Sequence, residues 1–508
     1  MREMRLGPLI VAGFSFAVYV RTLMPGIAFG DWGEMQTVPH VLGVAHPTGY
    51  PTYILLAWLA ELIPIGSVAF RANLLSAALV AAALATVAVI AERLGARPAI
   101  AAAAALALGA TGTVWAAATV SEVNPLHFLF VAVILHRALI WEVRRRPVDL
   151  VLGGLLVGLA FGNHLLMLFV APFVVVFVLW VGRRELRERP WLVLATAGAA
   201  LLGLSVYLYI PIAARLDPPL AYNHPTTLEG VWWLVSGTQF RGQFDFFSAR
   251  GPGEFIASLP ALWALVTERA TPIVPILGVV GLALLIRRRP VFGVTLVAIL
   301  LFAVYIWANY LHLEHYLLVP WLILALGVAV ALNGLADLAR RVAEWRRPFP
   351  GLMPDMGVIV GALAVVGAVG LAASTWRSAD RSADRSGEEY VAAVFAALPP
   401  NAVILSEWDS STPLWHGQHV RGERQDVLIV DDTNIVYEGW VTREARIASV
   451  ICDRPTFILR LLDSDLEPTR SEYTLTPFLT VRFAVGAPSA SIDREIYQVA
   501  PRPGTCGS

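Results

Sequence analysis

The stretch DWGEMQTVPHVLGVAHPTGYP, Asp31 to Pro51, follows directly on the first long apolar run of the chain. That run, Leu6–Leu23, is long enough to cross a bilayer as a helix. Behind it the chain gathers two carboxylates, two histidines and three prolines. A polar cluster at that place reads as the first loop outside a helical membrane bundle. The composition agrees. Of 508 residues, 57% are hydrophobic and 15% charged, whereas a soluble domain carries about 25% charged residues. The fold class expected is therefore mainly α, a polytopic transmembrane helical bundle.

Apolar runs set the spans: Leu6–Leu23, Ala69–Ile90, Ala99–Ala118, Asn124–Val143, Val148–Phe161, Leu165–Val181, Trp191–Ile212, Ile273–Ile286, Val291–Tyr310, Tyr316–Leu335 and Met356–Trp376. That makes about eleven, the fifth and eighth being short. Met24-Pro25-Gly26 after the first is not a small-x-small cleavage site, so that run reads as a retained helix.

Every basic side chain is arginine or histidine, and the arginines cluster. Arg2 with Arg5, Arg93 with Arg97, Arg144–Arg146, Arg183 to Arg189, Arg287–Arg289 and Arg340 to Arg347 all fall on one face of an eleven-span bundle. Short cytoplasmic loops carry that excess. The N-terminus is then cytoplasmic and the C-terminus extracytoplasmic, in a bacterial cytoplasmic (inner) membrane. Three segments lie outside: the first outer loop, 24–70, the second, 213–271, and everything after Trp376. The formal charge is zero, and no nucleic-acid partner is expected.

The reading divides the chain into a membrane module, 1–376, a charged hinge, 377–387 (RSADRSADRSG within it), and an extracytoplasmic domain, 388–508. In the last, NAVILSEWD, DVLIVDD and RPTFILRL are short apolar runs between turn signals, as in a small α/β domain. The two cysteines, Cys452 and Cys506, both lie in it and are able to pair in an oxidising compartment.

Within the opening stretch, Asp31 and Glu34 are three apart and share a face if helical. Neighbouring carboxylates beside an apolar bundle resist ionisation together, so one holds a raised pKa and the other serves as a base. His46-Pro47 and Tyr50-Pro51 predict an extended approach. TYILLAWLAELIPI, too short to span, predicts a helix lying in the outer interface.

DWGE, LGVAHPTGYP and AFRANLLSA resemble the GT-C superfamily of membrane glycosyltransferases. The likeness is to the branch of the vertebrate plexin-domain protein O-mannosyltransferase and its uncharacterised bacterial relatives. It continues through SEVNPLHFL, GLAFGNHLLM, YLYIPIAARLDPP, NYLHLEHYLLVP and the tail. Departures are Thr48 in place of a second proline, Ala213 and Ala214 before Arg215, and YNHP from Tyr222 to Pro225. The resemblance implies transfer of a single sugar, mannose or similar, from a polyprenyl-phosphate donor to a hydroxyl. The acceptor would be a Ser or Thr of an exported protein, or a glycan. It implies inverting general-base catalysis. No cofactor is expected beyond the lipid-linked sugar; a divalent cation between Asp31 and Glu34, as some GT-C enzymes use, is the alternative left open.

Such chemistry needs a base for the acceptor hydroxyl, groups that stabilise the departing phosphate, and room for a membrane lipid. Asp31 is the expected base, with Glu34 second. Arg71, Arg215 and Arg241 are the outer arginines suited to phosphate. His46, Asn73, Glu122, Asn163 and His164 are the remaining substrate-binding candidates, all on the same, outer side as Asp31. His312 and His315 in HLEH lack the spacing of a zinc protease. Two rivals remain. A transporter or flippase predicts polar residues at the bilayer midplane, and a non-catalytic scaffold predicts no pocket beneath the first loop.

Overall fold

The structure is a computed structural model and describes residues 6–240, 252–308, 314–346, 355–484, 491–504 and 506. Helix α1 (Leu6–Arg21) leads to α2 (Gly30–Met35), α3 (Pro51–Glu61) and α4 (Val68–Arg93). Proline opens α3 where its missing N–H costs nothing. The Ser67 hydroxyl accepts the Phe70 amide at 3.1 Å and caps α4. The bundle continues with α5 (Pro98–Gly109), α6 (Gly112–Ala118), α7 (Asn124–Arg144), α8 (Pro147–Phe161), α9 (Ala171–Glu188), α10 (Trp191–Leu204) and α11 (Tyr209–Arg215). Then come α12 (Leu228–Val235), α13 (Pro252–Ala270), α14 (Ile273–Arg288), α15 (Pro290–Ile306), α16 (Leu318–Arg346) and α17 (Met356–Ala379).

All eleven expected spans overlap helices, residues 309 and 310 of the ninth lying outside the described residues, but length and apolarity alone license five as crossings, or seven if each bent pair counts once. The five are 68–93, 124–144, 191–215, 314–345 and 356–379. The span expected over Ala99–Ala118 is broken, α5 and α6 meeting at 73°. The break is local: Thr111 is extended, and its hydroxyl donates back to the Leu108 carbonyl at 2.8 Å. The second bent pair, α13 and α14, turns by 105°. Much of the segment read as the second outer loop is thus helical, in α12 and α13.

Helices in lipid associate by close packing rather than by expulsion of water. Here α14 lies along α16, and α8 along α10. A Cβ on Gly281 would come within 1.7 Å of the Gly327 carbonyl oxygen, and one on Gly158 within 2.1 Å of that of Ala200. Both crossings need backbone against backbone.

Beyond α18 (Ser386–Ala397) stands a five-stranded sheet of order β2-β1-β3-β5-β4. Strands β1 (Val403–Ser406), β2 (Leu428–Asp431) and β3 (Thr456–Leu459) are parallel. They are the three apolar runs read from sequence. Strands β4 (Thr474–Ala484) and β5 (Ser491–Ala500) add an antiparallel hairpin, β5 pairing with β3. Side chains alternate across the sheet. Val403 and Leu405 join one buried cluster and Ile404 another. Helix α19 (Trp408–His419) follows β1 directly. Cys452 and Cys506 form a disulfide.

The sheet domain and the first loop share a core. Ile27 is buried with Tyr390, Val394 and Phe483. Phe29 stacks on Phe483 with centroids 5.1 Å apart. The loop bearing the carboxylates is thereby clamped between the bundle and the C-terminal domain.

Candidate active site

Asp31 and Glu34 sit on α2, a short helix whose entry at Gly30 has φ +60°, a conformation that favours glycine. The two side chains do share a face, and His46 stands between them. Asp31 is half exposed, its side chain 54% accessible, whereas that of Glu34 is 2%. Glu34 Oε1 accepts the His46 backbone N–H at 2.8 Å, and Oε2 bonds to His46 Nδ1. On the other side of the ring, Nε2 lies 4.0 Å from Asp31 Oδ2 and 3.0 Å from the Tyr50 hydroxyl. Tyr50 donates to the Pro47 carbonyl at 2.9 Å, so its oxygen is free to accept from His46 Nε2–H.

The approach to Pro51 differs from expectation. Tyr50 is left-handed, with φ 44° and ψ 44°, not extended. Proline disfavours the right-handed helical region before it, and the left-handed well satisfies that constraint. A turn from the Gly49 amide to the His46 carbonyl (2.7 Å) and the Tyr50 hydroxyl bond hold it there.

Burial pushes the Glu34 carboxyl up, against the pull of His46. Burial pulls His46 down, but Glu34, Asp31 and the bond to Glu34 outweigh it and raise the ring to about 9. The pair therefore retains a proton through neutral pH. Burial also raises Glu122, opposed by His315. Glu122 accepts from Trp32 Nε1 at 3.1 Å and from the Val123 amide at 2.8 Å. Burial holds His164 well below the usual imidazole range. Its Nδ1 accepts the Leu166 amide at 3.1 Å, which leaves the hydrogen on Nε2.

Asp31, His46, Tyr50, Glu122, His164, His315 and Tyr316 line one cavity of about 500 Å³. Its other wall is apolar, with Leu165, Leu166, Leu168 and Phe169. Among the described residues that line it the cationic-capable groups are histidines; no arginine takes part. A second cavity of about 290 Å³ opens between the first loop, the segment Pro219–His224 and the C-terminal domain. It includes Glu34, Trp408, Trp415, Asp431 and Glu438.

Several candidates stand elsewhere. The Arg71 guanidinium donates to the carbonyls of Glu61, Ile63 and Ser67, fastening the end of α3 to α4. Asn73, fully buried, accepts from Gln36 Nε2 (2.9 Å) and the Ser121 amide (2.8 Å) and donates to the Met24 carbonyl (2.8 Å). It ties the first loop to the turn before α7 and does not line the cavity. Asn163 donates to the Val123 carbonyl at 3.1 Å. Arg215 donates to the Thr226 carbonyl within the second outer loop. Arg241 lies outside the described residues. Among the described residues no three His, Cys, Asp or Glu side chains group as metal ligands. Both Glu34 oxygens bond to His46, whose ring stands between the two carboxylates.

Sequence reasoning passed over Trp408, whose indole N–H donates to Asp31 Oδ1 at 2.7 Å from the far domain. It also passed over Tyr50, Tyr316 and Arg381, whose guanidinium covers the Trp32 ring at 4.7 Å. The Tyr50 position beside His46 was open to notice in the motif; nothing in the tail marks Trp408 as a partner of Asp31.

A family model described as the N-terminal domain of protein O-mannosyl-transferase TMEM260 matches residues 31–187. The mouse protein O-mannosyl-transferase TMEM260 (Mus musculus) is 28% identical over 466 residues, 87% of this chain and 64% of that protein. The chain thus spans somewhat under two thirds of that relative's length. The Dictyostelium discoideum protein of the same name is 39% identical over 62 residues, 12% of this chain and 8% of that one. Among solved structures, ArnT from Cupriavidus metallidurans bound to undecaprenyl phosphate superposes with a TM-score of 0.60 at 13% identity, covering 98% of this chain and 99% of that one. AglB, the oligosaccharyltransferase of Archaeoglobus fulgidus, in complex with an inhibitory peptide and a dolichol-phosphate, gives 0.54 at 10% identity, covering 98% and 74%. The mycobacterial arabinofuranosyltransferase AftD gives 0.52 at 16%, covering 98% and 40%. The chain shares the fold of these membrane glycosyltransferases, and its sequence resembles the TMEM260 protein O-mannosyl-transferases.

Proposed function

We propose that the chain is a membrane glycosyltransferase that moves a sugar, mannose or similar, from a polyprenyl-phosphate donor to a hydroxyl acceptor, a Ser or Thr of an exported protein. The observation that carries this reading is the half-exposed Asp31 carboxylate facing a cavity that is polar at one end and apolar at the other. The apolar wall suits a lipid chain. His164 Nε2–H and the Tyr316 hydroxyl supply donors of the kind a departing phosphate requires, and the Glu34–His46 pair beside them retains a proton.

Asp31 takes the proton of the acceptor hydroxyl. The acceptor oxygen forms its bond to the anomeric carbon from the face opposite the phosphate. The bond from that carbon to the phosphate oxygen breaks, its electrons staying on the polyprenyl phosphate. One carboxylate suffices, and the sugar inverts. The undecaprenyl phosphate bound to ArnT and the dolichol-phosphate bound to AglB support a lipid-phosphate carrier here. The Cys452–Cys506 disulfide supports an oxidising, extracytoplasmic setting for the C-terminal domain, with the N-terminus in the cytoplasm of a bacterial inner membrane.

Purified protein given labelled polyprenyl-phosphate mannose and a Ser/Thr peptide should yield labelled peptide and free polyprenyl phosphate. No donor turnover with peptide or glycan acceptors would overturn the reading.

A further inference from the structure

We propose that Trp408, supplied by the C-terminal domain, is a positioning residue for Asp31: its indole N–H fixes one carboxylate oxygen so that the other is presented to the donor cavity. This rests on the function proposed above. The bond joins residues 377 apart in sequence. Indole N–H is a donor only, so it engages Asp31 without competing for the acceptor's proton. With Oδ1 held at 2.7 Å by Trp408, Oδ2 stands 4.0 Å from His46 Nε2, beyond a hydrogen bond, and is left for an incoming hydroxyl. A carboxylate on a short side chain otherwise turns freely about its last torsion. Fixing it matters because reaction requires the attacking oxygen within about 3–3.5 Å and aligned.

The indole is itself held. Its ring meets those of His46, Tyr222 and Trp415 edge-on at centroid distances of 5.6, 5.9 and 5.6 Å. It begins α19 at the carboxyl end of β1, so its backbone is set by the parallel sheet. The next residue, Asp409, accepts from Arg494 at 2.5 Å, and the Arg494 guanidinium lies 5.8 Å from the centroid of the Phe29 ring. A Cβ on Gly30 would sit 3.2 Å from Asp409 Oδ1. Phe29, Gly30 and Asp31 thus rest consecutively on the C-terminal domain, and the base is aligned only while that domain is docked.

The test is Trp408→3-benzothienylalanine in the full chain, which replaces the N–H by sulfur and keeps the ring's shape. Polyprenyl-phosphate mannose and a Ser/Thr peptide are the substrates. The expected result is a kcat at least tenfold lower, a donor KM within twofold of wild type and an unchanged Tm. Trp408→Phe should lose at least as much. An analogue that keeps half the wild-type kcat, or that loses activity only through KM, overturns the inference while leaving the proposed function standing. A wild-type protein that turns over no donor overturns the proposed function, and this inference with it.

Discussion

Glu34 and His46 are bonded twice, through the His46 amide at 2.8 Å to Oε1 and through Nδ1 to Oε2. Both oxygens of the buried carboxylate are spent on one residue. The two acids of DWGE are therefore unequal: Asp31 meets the cavity, and Glu34 orients the ring beside it.

That inequality separates two substitutions. Asp31→Asn removes the proposed base and should lower kcat by about 10²–10⁴. Glu34→Gln leaves the base and weakens only the hold on His46. It should cost about 10–100-fold, the rate equivalent of the roughly 1.5–3 kcal/mol of a hydrogen bond to a charged group. Label transfer from polyprenyl-phosphate mannose measures both. Equal losses would mean that Glu34 takes part directly.

The same pair gives stability a pH dependence with a defined sign. His46 is raised from 6.5 to about 9 in the folded chain. A group whose folded pKa is raised binds its proton more tightly when folded. Its contribution is present in full below pH 6.5 and is lost as pH rises through about 9. The difference in thermal stability between wild type and His46→Gln, followed in detergent from pH 6 to 10, should shrink across that window. A difference that grows with pH would contradict the arrangement.

The bundle was legible because lipid imposes long apolar runs, and the arginine clusters mark their ends. The break between α5 and α6 was not, since Ala99–Ala118 is mostly apolar and only the short run GATGT, Gly109 to Thr113, hints at a stop. The strands of the C-terminal parallel sheet were visible as short apolar runs between turns. The grouping of Asp31, Glu34 and His46 was legible because the three lie within one loop. Arg71 was read as a phosphate ligand from its place at a helix head, but sequence gives no view of three carbonyls converging on it. Trp408 was missed for the opposite reason, because its partner is 377 residues away.

The disulfide offers a test of both compartment and stability. Cys452 and Cys506 are 54 residues apart and close a loop around β3, β4 and β5. Closing a loop of that length is worth about 2–4 kcal/mol through the unfolded chain. Cys452→Ser should lower the unfolding temperature of the C-terminal domain, read by limited proteolysis on heating. In intact cells neither cysteine should react with a membrane-impermeant maleimide until a reductant is added. Labelling without reductant would show that the two are not paired, and no labelling even after a membrane-impermeant reductant would place the domain on the cytoplasmic side.

Asn73 distinguishes a tie from a ligand. Its side chain is fully buried and makes three good hydrogen bonds, to Gln36, to the Ser121 amide and to the Met24 carbonyl. Asn73→Ala leaves those groups short of partners, each orphaned group costing about 1–3 kcal/mol. Ser121 in turn donates through its hydroxyl to the Trp32 carbonyl at 2.7 Å, so the loss reaches the residue next to Asp31. A tie predicts a Tm in detergent several degrees lower, a fall in kcat and a donor KM little changed. A substrate ligand predicts the reverse, a raised KM at unchanged Tm. Asn73→Asp keeps the oxygen that accepts from Gln36 and Ser121 but loses the donor to Met24. It should fall between wild type and Asn73→Ala in Tm, and an aspartate variant less stable than the alanine one would show that the cost of a buried charge exceeds the two bonds it retains.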